Sequence, residues 1–252
     1  MNSHFFRLFL LLPLLLVSTG DLLAQEAWEK YPGNPVLSGQ PGTWHAVLSM
    51  NSVLYNADSS RYEMWFACAA QDGPPFAIGF AWSSDGVAWN VHSPGPVLGP
   101  SAGSWDAYYV MGPYVLRDSG QYKMWYTGIS PGGLTGQIGY ATSPDGISWT
   151  KHPSNPVLAP GTASWESASA IYGCVIPDSS GYRMWYGGIS SDVSQSGIGL
   201  ATSLDGISWT KHASNPLLVS GAIGAWDHIV FGPRVVMVSG TFYMYYSGEV
   251  SQ

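Results

Sequence analysis

Charge is scarce in this sequence. Lysine and arginine together number 9, and aspartate and glutamate 16, among 252 residues. The excess is acidic, with a formal net charge of −7 and a pI near 5.1. An acidic chain lacks the positive footprint that draws nucleic acid or an anionic membrane surface. Disorder is excluded as well, because apolar residues still make up 46% and aromatics 14%. Cysteine is nearly missing. Cys68 and Cys174 are too few for a disulfide framework, and no C-x-x-C offers a metal cluster. Both read as buried small apolar residues. The chain also lacks a G-x-x-x-x-G-K-S/T phosphate loop and a G-x-S-x-G nucleophile elbow. No cofactor and no metal are expected.

Long apolar runs are equally rare. "LFLLLPLLLV", Leu8 to Val17, follows Arg7, is too short to span a bilayer and is interrupted by Pro13. "LLAQ" offers cleavage after Ala24. Residues 1–24 therefore read as a signal peptide. The mature protein is expected to be secreted, extracellular or periplasmic, with no membrane association after cleavage.

What the sequence has in quantity is repetition. Trp28, Trp89, Trp149 and Trp209 recur at 60 to 61 residues. So do Trp44, Trp105, Trp165 and Trp226, and so do Trp65, Trp125 and Trp185, followed by Tyr245. A fixed period of this size marks a repeat architecture. Each repeat holds four strand-like runs between turn signals, and none shows a helical period. In the second they are "AYYVMGPYVLR", "YKMWYTGI", "QIGYATS" and "SWTKHPSNPVL". Four antiparallel strands repeated radially describe an all-β fold, a β-propeller of four-stranded blades.

The phase assigns residues 25–252 to one propeller domain. Three full repeats span about 44–98, 105–158 and 165–218, with a partial one at 226–252. "WEKYPGNPVL", 28–37, matches the fourth run and is expected to close the ring as an outer strand. Either the ring closes with about four blades, or C-terminal material is lacking; the second is the expectation.

Strand order separates two faces. The Asp-Gly turns at Asp85, Asp145 and Asp205 share one with the short hairpins "DSSR", "DSGQ" and "DSSG". Asp-Gly suits a tight turn, so these acids read as structural. Trp89, Trp149 and Trp209 begin the outer strand and read as packing between blades. On the opposite face the crossovers end in "GTWH", "GSWD", "ASWE" and "GAWD". That pattern puts His45, Asp106, Glu166 and Asp227 at the starts of the innermost strands. Gathered at one funnel, the three acids are candidate catalytic groups. His45, Trp44, Trp105, Trp165, Trp226 and Tyr108 are the candidate substrate-binding groups. The alternative for the acids is to cap the crossovers by accepting backbone N–H bonds. Core packing is the alternative for Tyr108.

The segment "YKMWYTGI…QIGYATSPDGISWTKHPSNPVL" resembles the repeat of the five-bladed propeller glycosidases. These include the arabinanases and xylosidases of glycoside hydrolase family 43, the family 32 invertases and the mannoside phosphorylases. The resemblance covers about residues 28–248. It implies a five-bladed propeller that is incomplete in this chain, and a glycan partner at the funnel. It also implies acids on the innermost strands, several directly before a proline. Here Gly112 precedes Pro113 and Gly232 precedes Pro233, with Ser52 and Tyr172 read as the matching residues; none is acidic. "SPDGISW" is also similar to the Asp-box of sialidases, but it lacks one residue of that motif. Arg61, Arg117, Arg183 and Arg234 form no evident cluster. Two functions remain: a glycoside hydrolase-like enzyme, or a noncatalytic carbohydrate- or protein-binding propeller.

Overall fold

A computed structural model describes residues 29–132 and 135–250. The expected signal segment 1–24 and Trp28 lie outside the described residues. Two compact units are distinguished, Met1–Asn34 and Pro35–Gln252. In the first, the Tyr31 carbonyl accepts the Asn34 N–H in a turn. The second holds every strand among the described residues.

Its first repeat contains β1 (Val47–Asn56), β2 (Arg61–Ala70), β3 (Gly73–Ser83) and β4 (Asn90–Val91). The second contains β5 (Tyr109–Asp118), β6 (Gln121–Ile129), β7 (Gly136–Ser143) and β8 (Thr150–Lys151). In the third, β9 (Ser169–Asp178), β10 (Gly181–Ile189), β11 (Ser196–Ser203) and β12 (Thr210–Lys211) are followed by β13 (Leu218–Val219). The fourth shows β14 (Ile229–Val238) and β15 (Thr241–Glu249), paired only with each other among the described residues. Within a repeat the strands pair antiparallel in chain order. Single parallel bridges, Phe76 to Tyr109 and Gly136 to Ser169, tie the third strands of the first two repeats to the next inner strand. The inner strands pack in series, β1 on β5, β5 on β9 and β9 on β14.

The outer run is interrupted in its middle: a two-residue ladder at its start is followed by a second contact with the third strand at its end, Leu98 to Ile78, Leu158 to Ile138, and β13 to β11. The reason is local. Prolines 153 and 156 have no N–H to give, and the Asn155 amide takes over as the ladder partner. Its Oδ1 accepts the Tyr140 N–H and its Nδ2 donates to the Tyr140 carbonyl, at 2.8 and 2.9 Å. Asn215 does the same to Leu200. Residues 29–37, expected as an outer strand, form turns and bends without strand pairing. An outer strand needs a third strand beside it, and β15 has none among the described residues.

Tryptophans lock neighbouring repeats. The Gly146 carbonyl accepts Trp149 Nε1 from its own repeat and Trp65 Nε1 from the preceding one. Gly206 receives Trp209 and Trp125 in the same way. The turn that presents this carbonyl holds Gly146 at φ +77°, where a side chain is strained. The two indoles meet edge to face, 6.2 Å apart for Trp65 and Trp149. Trp149 and Trp209 thus pack between repeats, while Trp89 packs within the first, and the Asp-Gly acids shape the turns. Asp145 Oδ1 accepts the N–H groups of Ile147 and Ser148, and Asp205 those of Ile207 and Ser208. Both cysteines are buried thiols.

Candidate functional site

The three predicted acids recur after a tryptophan, and the structure shows where each side chain goes. Trp105 lies flat over Tyr126 and against Gly128 of β6, where a Cβ would come within 2.2 Å of the indole. That packing turns Asp106 down onto its own repeat. Asp106 Oδ2 accepts a hydrogen bond from the Tyr126 hydroxyl at 3.1 Å and pairs with Lys151 Nζ at 2.5 Å. Lys151 also donates to the Gly99 carbonyl and to Ser101 Oγ. Asn155 Nδ2 donates to the Tyr126 hydroxyl. The third repeat rebuilds this clamp with Glu166, Tyr186, Lys211 and Asn215. There a glycine, Gly161, stands at the Ser101 position. A Cβ on it would sit 2.5 Å from Glu166 Oε1, so the longer acid uses the room that serine fills in the second repeat. Burial first, then the adjacent carboxylate, raises the Tyr126 and Tyr186 hydroxyls, which keeps them protonated donors.

The first repeat lacks the clamp entirely. At the four positions it carries His45, Phe66, Val91 and Gly95. His45 is buried; its Nδ1 contacts Thr43 Oγ1 and its Nε2 has no partner among the described residues. Burial lowers its pKa, so the ring is neutral. In the fourth repeat Asp227 is half-buried, with its Oδ1 against Gly221. Trp226 stacks on Tyr246 but stays 60% exposed, for no third strand covers it among the described residues. Trp44 and Trp165 pack like Trp105, over glycines of their own repeats. Tyr108 lies against Tyr109, ring centres 4.3 Å apart. No hydrogen bond or ion pair among the described residues joins any two of His45, Asp106, Glu166 and Asp227. The acids are held separately, each inside its repeat. One feature sets Asp106 apart. Its Oδ1 is buried without a partner among the described residues, beside a cavity of about 160 Å³ lined also by Tyr126, Lys151 and His152.

A second candidate lies where the inner strands converge. Each inner strand carries one residue at positive φ: Met50 (35°), Gly112 (57°), Tyr172 (57°) and Gly232 (61°). A register shift accompanies each of them. This equivalence corrects the sequence reading, which matched Ser52 to Gly112. The β1–β2 hairpin has two more residues in its turn, Asn56 to Arg61 against Asp118 to Gln121, and moves the register to Met50. Met50, Tyr172 and Gly232 line a cavity of about 250 Å³ together with Asn51, Phe231 and Arg234. Ser247 completes it. Gly112 props Tyr172, because a Cβ there would press to 2.6 Å of the ring. No carboxylate lines this cavity among the described residues. A larger one, about 480 Å³, lies on the turn face between Asp178 and Asp205.

No family model matches the sequence. Two curated relatives do, both from Mycobacterium tuberculosis and both uncharacterized. MT1551 (strain CDC 1551 / Oshkosh) is 29% identical over 178 residues, 68% of this chain and 56% of its own. Rv1502 (strain ATCC 25618 / H37Rv) is 33% identical over 150 residues, 57% of this chain and 47% of its own. The chain spans about half the length of these relatives. Among solved structures, a GH130 family member described with β-1,2 mannosidic linkages superimposes with a TM-score of 0.67 at 18% identity, covering 87% of this chain and 68% of its own. Zg3597, a family 117 glycoside hydrolase from Zobellia galactanivorans, gives 0.64 at 17%, covering 84% and 70%. The fold is that of the propeller glycosidases. An N-acetylgalactosamine deacetylase from F. plautii gives 0.65 at 18%, covering 85% and 66%. Proteins described with different chemistries on glycans thus share this fold, and activity has to be argued from the site.

Sequence reasoning missed the axial residues Asn51, Phe231 and Arg234. The signal available was the recurring "GP" of the inner strand, Gly112–Pro113 and Gly232–Pro233.

Proposed function

We propose that this protein is an exported, glycoside hydrolase-like carbohydrate-binding propeller that holds a glycan in its axial cavity. The cavity carries the reading: it sits at the inner-strand positive-φ positions, offers two rings and several polar groups, and lacks a carboxylate among the described residues. Sugar sites combine an apolar ring face with a few placed hydrogen-bonding groups. Phe231 and Tyr172, ring centres 6.1 Å apart, provide the first, and the Asn51 amide and the Ser247 hydroxyl the second. The clamp argues against hydrolysis at the crossovers. A general acid must be free to reach the bond it protonates, and Asp106 and Glu166 are each engaged by a lysine and a tyrosine hydroxyl of their own repeat. The run Leu8–Val17 and the cleavage site after Ala24 support export.

The test is calorimetric titration of the purified, exported protein against neutral and acidic oligosaccharides, with chromatography for released sugar. Binding without release is expected, from a chain whose intact mass lacks residues 1–24. The unpartnered Asp106 Oδ1 favours a second reading, a hydrolase using Asp106. Sugar release that disappears in Asp106→Asn would establish that reading over the first.

A further inference from the structure

Among the described residues the axial cavity contains one charged side chain, and no acid pairs with it. Three of the four arginines in residues 29–252 face an acid: Arg61 pairs with Glu63, Arg117 with Asp58 and Arg183 with Asp178. Arg234 pairs with no acid among the described residues. Its Nη1 donates to the Pro233 carbonyl at 3.1 Å, and its Nη2 reaches the Asn51 carbonyl at 3.4 Å, long for such a bond. The guanidinium lies over the Tyr114 ring, 5.8 Å from its centre. Arginine has five N–H donors in a planar fork, so most of its hydrogen-bonding capacity is uncommitted.

Its position is equally specific. Ser52, Tyr114, Cys174 and Arg234 are equivalent, each two residues after the positive-φ position. Ser52 Oγ and Cys174 Sγ are used up by accepting the N–H of the next inner strand, from Val115 and Val235. Arg234, which can only donate, has no such part to play. It borders two adjoining cavities, the axial one of about 250 Å³ and one of about 370 Å³ lined by Asn51 and Tyr114.

We propose that the axial cavity takes an acidic sugar, a uronate residue of an oligosaccharide, whose carboxylate is received by the Arg234 fork. This rests on the glycan-binding reading and names the ligand class. A planar guanidinium matches a carboxylate with two parallel hydrogen bonds. The Tyr172 and Phe231 rings flank the same space and supply the face for the sugar ring. The volume falls below the roughly 300–1,000 Å³ of pockets for larger ligands, which suits a single ring. The net charge of −7 opposes an anion at long range, but screening confines that effect to about 8 Å in physiological salt. The local cation therefore decides.

The probes are trigalacturonic acid and its carboxyl-reduced, neutral counterpart, titrated into the mature protein. The acid is expected to bind at least about tenfold more tightly. Arg234→Gln should erase that preference, and Arg234→Lys should retain part of it. Thermal melting of each variant reports folding, and should Arg234→Gln unfold, the comparison of the two probes on the unaltered protein still decides. Equal binding of both sugars overturns the proposal and leaves the glycan reading standing. So does a preference that survives Arg234→Gln in a folded variant. A lower melting temperature with the preference intact would make Arg234 a strut between β14 and β1. Binding of neither sugar removes both readings.

Discussion

Lys151 is the ion-pair partner of the buried Asp106 carboxylate, so the lysine matters more than a surface residue would. Lys151→Met removes the counter-charge and leaves a carboxylate that is 1% exposed. The expected cost is about 3 kcal/mol, the low end for breaking a buried pair, because the Lys151 ammonium is itself partly solvated. Asp106→Asn on the Lys151→Met background should recover part of it. Urea unfolding of the unaltered protein and the two variants measures this, and a Lys151→Met midpoint equal to the unaltered protein would refute the clamp. At this scale the sequence was half legible. The acids after each tryptophan were visible as a set, but their direction was not, because a repeat period does not say which neighbour a side chain turns toward. A better signal was present. Asp106, Tyr126, Lys151 and Asn155 recur as Glu166, Tyr186, Lys211 and Asn215, and all four change together in the first repeat.

Among the elements, the Asp-Gly turns are the most exposed to acid. Backbone N–H bonds, first from Ser148 and Ser208, hold Asp145 and Asp205 at about 2. Both lie below the unfolded value of about 3.9. Their contribution to stability is therefore full above about pH 4 and fades as pH falls toward 2. Asp118 and Asp178 are also held at about 2, by Lys123 and by Ser180 before the other donors. The melting temperature should fall steeply between pH 4 and 2. The Asp145→Asn, Asp205→Asn double variant should flatten part of that slope, and an unchanged slope would show that the turns do not couple to pH. Strand placement was readable from alternation and turn residues. The expected run 107–117 appears as Tyr109–Asp118, and 122–129 as Gln121–Ile129. The break within the outer run was not legible, because an asparagine amide standing in for a strand backbone leaves no periodic trace.

For the molecule as a whole, the 60-residue period announced the repeats and their phase, and the likeness to solved propellers bears out the scaffold. Convergence on the axis was not legible. It depends on a two-residue difference in one hairpin turn and on four positive-φ positions, only two of which are glycine. The clamp also has a consequence for how such a gene can be rearranged. Its acid stands near the start of a repeat and its lysine 45 residues later, so one electrostatic unit spans almost a whole repeat. A crossover inside a repeat, joining the first repeat to the second, would strand an acid opposite valine or a lysine opposite histidine. A crossover in the connecting segment would not. Chimeras that join the first repeat to the third should therefore melt cooperatively when cut at residue 99 and lose several degrees when cut near residue 72. Equal melting would show that the breakpoint is free. The tolerated breakpoints of this chain are written in its ion pairs, and recombination has to respect them.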